Sequence, residues 1–404
     1  MPDTSSAVHL AVALDGAGWH PAAWREPDAR PTQLFTAAYW TDLVREAERG
    51  LLDFVTIEDA LRLQSANGLD PDERTDQVRG RLDAVLTAAR VAPLTTGIGL
   101  VPTAVVTHTE PFHVSKAIAT LDYVSTGRAG VRVQVSPRQH EARHFGRRGF
   151  PPFGPADLAA PVDPVIGQLI DDQLDEAADY VEVLRRLWDS WEDDAEIRDV
   201  ATGRFVDRDK LHYIYFEGRW FSVRGPSITP RPPQGQPIVT ALAHQTAPYR
   251  LVARAADLGY VTPRDAAHAA EIVTEIRTEQ TAAGRGAATV HVFGDLVVFL
   301  ADDAGAATAR KERLDTLAGG EFTSDAATFV GTPAQLADLL TDWQRAGLTG
   351  FRLRPGGLPH DLTQITRGLV PELRRRGAFR TGYEAGTLRG LLGLPRPANR
   401  YAAA

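Results

Sequence analysis

Eight times along this chain, a short apolar run gives way to a longer stretch in which apolar residues recur at helical spacing. The strand-like runs are residues 8–14, 53–58, 97–101, 130–136, 237–242, 259–261, 290–300 and 350–354. Most are near-continuous Val, Leu, Ile and Ala, the pattern of strands covered on both faces. Helical stretches follow at 36–49, 83–91, 111–124, 168–188, 248–257, 265–282, 304–317, 333–346 and 361–376. Parallel neighbours need long crossovers, which helices supply. Eight such units is the number that closes a (β/α)8 TIM barrel. An open doubly wound sheet is the alternative, but no G-x-G-x-x-G follows the first strand. Gly50 stands where a C-cap glycine belongs.

The rhythm breaks twice. Residues 137–170 are rich in Pro, Gly and Arg and read as a lid inserted after the fourth strand. Residues 191–236 read as a hairpin insertion before the fifth, ending in a Pro-rich loop. The expectation is one barrel domain over residues 1–404 with these two insertions. The tail after Phe379 is too short for a domain and is expected to wrap the barrel or a partner subunit.

Composition narrows the function. With 43% hydrophobic and 24% charged residues the chain is an ordinary globular protein. A net charge of −8 argues against a nucleic-acid partner, which calls for a basic stripe. The absence of cysteine excludes disulfides, thiolate metal sites, iron–sulfur clusters and cysteine nucleophiles. Residues 1–7 lack the basic and apolar regions of a signal peptide, and no apolar run approaches roughly 18 residues. A cytoplasmic protein without a membrane partner is expected.

In a TIM barrel, chemistry sits at the C-terminal strand ends. Those ends offer Asp15, Trp19, His20, Trp24 and Arg25; Glu58 and Asp59; Thr103, Thr107, His108 and His113; Arg132, Gln134, Ser136 and Arg138; and His244 with Gln245. The set is aromatic, imidazole and hydrogen-bonding, without the clustered carboxylates of a divalent metal site. Plainer roles exist for several. Trp19 and Trp24 can simply cover the mouth, Asp59 can cap a helix, and Thr103 can be a turn hydroxyl. Arg132 and Gln134 alternate within a strand and are expected to face the mouth together, because a buried arginine needs a partner. His140–His144 matches H-E-x-x-H. It lies between Pro137 and the glycine- and arginine-rich 146–149, which leaves barely one helical turn, so zinc chemistry is not expected.

Several ordered segments are familiar: AAWREP (22–27), ERGLLDFVTIED (48–59), residues 98–130, LWDSWEDDA (187–195), FEGRWFSVRGP (216–226) and residues 370–397. Together they resemble the bacterial luciferase-like flavin-dependent monooxygenases, in the branch holding nitrilotriacetate monooxygenase, pristinamycin synthase A and dibenzothiophene sulfone monooxygenase. The resemblance implies a TIM barrel that receives reduced FMN from a separate flavin reductase. Oxygen then adds to the flavin, and the resulting peroxyflavin oxygenates a small organic substrate. The cofactor carries that chemistry while the protein supplies placement and a dry pocket. A homo-oligomer, dimer or tetramer, is expected. The resemblance gives Asp59 and Thr103 the flavin-contacting roles.

The chain also departs from that family. A histidine and a tyrosine that contact flavin are replaced by Ile170 and Leu174. The fifth strand ends Ala241–Gln245 instead of in small phosphate-cradling residues, Pro248 replaces a glycine, and a Trp–Asn pair becomes Val131–Arg132. Ser136, His244 and Gln245 are therefore expected at the phosphate end, with His20, His108 and Arg132 on the substrate side. Two other readings stay open: a deazaflavin cofactor in the same fold, and a flavin-free paralogue that serves as a binding or partner chain.

Overall fold

The structure is a computed structural model that describes residues 7–65, 71–154, 157 and 162–402. The first six residues and part of the expected lid lie outside that set. Eight parallel strands close a barrel: β1 (His9–Leu14), β2 (Phe54–Ile57), β3 (Gly99–Val105), β4 (Gly130–Gln134), β5 (Ile238–Ala243), β6 (Leu258–Val261), β7 (His291–Leu300) and β8 (Gly350–Pro355). Each pairs with its neighbours in chain order, and β8 pairs with β1 to complete the ring. A ninth strand, Ala327–Gly331, runs parallel to the second half of β7 outside the ring. Its five residues give too little pattern to be read from sequence alone.

Helix starts follow local chemistry. Thr36, Asp83, Asp163, Asp265, Asp303 and Thr332 each accept a first-turn N–H. Gly50 is the C-cap of helix Ala37–Arg49 as expected, but not in the left-handed conformation usual for such a glycine. Gly50 keeps right-handed helical geometry, and Leu51 takes the positive φ of 58°. Glycine is required at 50 for space, since a Cβ there would meet Thr366 Cγ2 at 2.7 Å.

The lower barrel is apolar, with Ala11, Phe54, Val101, Ile238, Leu258, Tyr260 and Phe293 in one buried cluster. The C-terminal tail seals this end: Leu388, Leu392 and Leu394 join the same cluster, and Tyr383 donates to the Leu52 carbonyl. The insertion before β5 forms two small antiparallel hairpins, Glu196–Asp199 with Arg204–Val206 and Phe216–Glu217 with Ser222–Val223. Among the described residues, no helix is long and apolar enough to cross a membrane.

Candidate active site

Above the apolar layer the barrel turns ionic. Alternation along each strand sends every second side chain inward. On β8 these are Arg352 and Arg354, on β4 Arg132, and on β7 Asp295, which stands in register opposite Arg352. Arg352 donates to Asp295 Oδ1 at 2.7 Å and Oδ2 at 2.5 Å, and to Glu58 Oε1 at 3.3 Å. Its guanidinium lies 4.1 Å from the ring centre of Tyr260. Arg354 donates through Nε to Asp295 Oδ2 at 3.0 Å. Arg132 is bonded to Glu58, donates to Gln134 Oε1 at 2.9 Å, and donates to Thr103 Oγ1 at 3.0 Å. The chain continues outward from Arg354 to Asp325 at 2.7 Å and from Asp325 to His244 at 3.4 Å. One network thus spans the mouth from Thr103 to His244.

The expected site residues fall into separate groups. Thr103 lies inside β3, which extends to Val105, and it pairs in register with Arg132. Asp59 accepts the N–H of Ala60 at 2.7 Å and of Ala84 at 3.0 Å, so its carboxylate holds the start of helix Ala84–Val91. Burial raises its pKa. His20 is buried with both nitrogens engaged: Nδ1 accepts from Ala22 N–H at 3.1 Å, and Nε2–H donates to Asp315 at 3.0 Å. His108 donates from Nε2 to the Ser136 carbonyl at 3.0 Å and stacks on Phe145 with centroids 5.3 Å apart, and among the described residues Nδ1 has no hydrogen-bond partner. Gln245 is exposed at the start of helix Thr246–Ala255, whose first turn has no side-chain cap. Asp171 lines a groove with Leu174, Arg250 and Arg254, while Asp172 turns away to pair with Arg219 at 2.9 Å. The helix at His140 spans only Gln139–Ala142, so His144 lies beyond it.

Sequence reasoning missed Asp295, Arg352, Arg354 and Asp325. The signal was present for three of them. A charge inside an otherwise apolar strand run, as in HVFGDLVVFL or GFRLRP, carries the same implication drawn for Arg132.

A cavity of about 420 Å³ opens at the same end of the barrel, within the roughly 300–1,000 Å³ range of small-molecule sites. The β1 loop from Asp15 to Pro21, the Arg74–Arg81 segment and residues 318–323 form its walls. FMN joins a flat ring to a dianionic phosphate; of the expected flavin and substrate residues, His20 lines this cavity, and Asp59, Thr103, Ser136, His244 and Gln245 do not. The cavity suits a ring. The uncapped N–H groups of helix Thr246–Ala255, beside His244, suit a phosphate.

Burial lowers the pKa of His20, His108 and His244, and lowers that of His291 to about 4. These rings are neutral in the folded chain, so the unfolded chain takes their protons first as pH falls below about 6.5. Burial alone would raise Glu58 and Asp295, but their arginine partners outweigh it and hold both below the usual range. Their contribution is present above about pH 4 and is lost below it. Asp122, raised to about 6 by burial, works the other way between pH 7 and 4. Asp59, Glu141, Asp179 and Asp361, also raised by burial, act in the same sense as Asp122, and the four histidines set the slope nearest their free value of about 6.5. Urea titrations are expected to show stability declining from pH 7.5 to 5.5, then falling more steeply below pH 4. A stability maximum at pH 5 would contradict this assignment.

A closed (β/α)8 barrel with a ligand-sized cavity at its C-terminal mouth defines a class of enzyme-like scaffold. Within it, the chain belongs to the luciferase-like monooxygenase family, which matches residues 18–350. Component A of nitrilotriacetate monooxygenase from Aminobacter aminovorans is 29% identical over 98% of both chains. The N-acetyl-S-(2-succino)cysteine monooxygenase of Bacillus subtilis strain 168 is 30% identical over the full length of both. The crystal structure of a riboflavin lyase, containing modified FMN and riboflavin, superimposes with a TM-score of 0.81 at 25% identity over 96% of each chain. The resemblance read from the sequence segments is therefore borne out at the level of family and fold.

Proposed function

We propose that this chain is the oxygenase component of a cytoplasmic two-component monooxygenase. It takes reduced FMN from a separate flavin reductase and, with O2, oxygenates a small organic substrate. The observation that carries this reading is the family match running through a barrel whose mouth keeps a ligand-sized cavity. The name of the Aminobacter relative, component A, supports a division of labour between chains. A homo-oligomer, dimer or tetramer, is part of the proposal.

When bound, reduced flavin supplies two electrons, so that one oxygen atom enters the substrate and the other leaves as water. The chain's own residues then have the following proposed roles. Ser136, Gln245 and the open start of helix Thr246–Ala255 hold the phosphate, and His244, turned to Asp325 and Thr262, does not share in it. Thr103 and Asp59 border the ring and ribityl side; Asp59 acts there chiefly by fixing the loop it caps. Arg132, held by Glu58, Gln134 and Thr103, presents its guanidinium on the substrate side. His108 retains one nitrogen able to accept a proton or hydrogen bond. His20, with both nitrogens used, shapes the wall and does not transfer protons. Phe145 and Phe150, packed on His108, and the Arg148–Glu176 pair at 2.7 Å hold the lid segment down and exclude water.

The test is an anaerobic titration of the full chain with reduced FMN, oxidised FMN and a reduced deazaflavin. Saturable binding of reduced FMN is expected, at least about tenfold tighter than of either alternative. Binding of the deazaflavin alone, or of no flavin, overturns the proposal.

A further inference from the structure

Three guanidinium groups stand together in the barrel mouth, and among the described residues the barrel wall supplies two carboxylates for them, Glu58 and Asp295. The third, Asp325, comes from outside, on the loop between helix Ala304–Ala318 and strand Ala327–Gly331. Arg354 is buried, with a side-chain exposure of 4%, whereas that of Asp325 is 49%. Their contact is a two-pronged fork: Nη1 to Oδ1 at 2.7 Å and Nη2 to Oδ2 at 3.3 Å. His244 Nε2 lies 3.4 Å from the same Oδ2, and its Nδ1 is 2.9 Å from Thr262 Oγ1. The Arg354 guanidinium sits 5.7 Å from the ring centre of Trp19. Trp19 lines the 420 Å³ cavity, and so do residues 318–323 of the loop that carries Asp325.

We infer that Arg354 and His244 form a carboxylate-recognition subsite beside this cavity, next to Trp19, where Asp325 stands in for the carboxylate of an organic-acid substrate. Calling that ligand a substrate rests on the proposed monooxygenase reading; the subsite itself does not. Glu58 and Asp295 balance two of the three guanidinium charges, and Asp295 is shared between Arg352 and Arg354, so Asp325 leaves most readily as another anion arrives. Exchange of one carboxylate for another keeps the charge balance and the planar fork. Phosphate is disfavoured. Arg354 is shared with Asp295, and a dianion at this point would face that second carboxylate more unfavourably than a monoanion does.

The experiment uses full-length protein carrying Asp325→Ala, with Asp325→Asn as a second variant that keeps the side-chain volume. Formate, acetate and succinate are the probes, chloride at matched ionic strength is the control, and inorganic phosphate is the competing arm. Acetate and formate are expected to raise the melting midpoint of both variants beyond the chloride effect while leaving the wild type unmoved. Succinate is expected to bind the alanine variant about tenfold more tightly than the wild type in calorimetry. Equal responses to chloride and acetate, or equal affinities in wild type and variant, make Asp325–Arg354 a structural ion pair only and overturn the proposal. Tighter binding of phosphate than of carboxylates overturns the ligand class. No flavin is present in these measurements, so their failure is distinct from failure of the flavin titration.

Discussion

Asp295→Ala is expected to destabilise the protein by about 3–5 kcal/mol, because it leaves two buried arginines without their shared counter-ion. Asp295 is fully buried and accepts from Nε and Nη2 of both Arg352 and Arg354. Among the described residues, the other carboxylates bonded to these arginines are already engaged. Glu58 is already bonded to Arg132 and Arg352, and Asp325 is attached to the outer face of Arg354. A domain with roughly 5–15 kcal/mol of total stability would lose a large fraction of it. Urea unfolding followed by circular dichroism measures the change. A loss under about 1 kcal/mol would mean that water reaches the mouth and screens these charges. Burying ions for stability alone is a poor device, since well-packed apolar residues often do as well. The retention of three arginines here is consistent with a mouth that works on charged ligands.

The barrel was legible because its signal is long-range and redundant. Eight apolar runs with intervening helical patterns specify closure even when single boundaries drift, as at β3, which runs four residues further than the sequence suggests. Helix starts at Thr36, Asp83 and Asp265 could be read because capping is local chemistry. The mouth was legible only in part. Arg132 stands out because it alternates with Gln134, yet its partner Glu58 lies 74 residues away in sequence, and no local pattern joins them. Asp325 sits in a loop without periodicity, and only the fold brings it to Arg354. His20 illustrates the converse. A histidine after β1 invites a chemical role, but the loop folds so that Asp315, 295 residues away, and the Ala22 N–H occupy both nitrogens.

The cavity's own wall gives the prediction with the largest expected effect on turnover. Gly18→Ala is expected to leave the barrel folded but to lower kcat/KM by about 10²-fold, the scale set by an ångström of misplacement at a reacting centre. Gly18 has φ of +122°, which alanine adopts only under strain. A Cβ there would meet the Gly356 carbonyl oxygen at 2.6 Å and Gly357 Cα at 2.7 Å, both main-chain atoms that cannot turn aside. The β1 loop would have to back away from the loop after β8. Three main-chain bonds now stitch the two together: Trp19 N–H to Pro355 at 2.9 Å, His20 N–H to Gly356 at 2.9 Å, and Leu358 N–H to Ala17 at 2.7 Å. Their weakening would shift Trp19 and His20, which line the cavity, and with Trp19 the surface against which Arg354 rests. The apolar core below is untouched, so the strain of about 1–3 kcal/mol should lower the melting midpoint without preventing folding. The measurement is the initial rate of oxygenated product formation at subsaturating substrate with reduced flavin supplied, wild type against variant. Near-wild-type turnover in a folded Gly18→Ala protein would place the reacting centre away from this cavity.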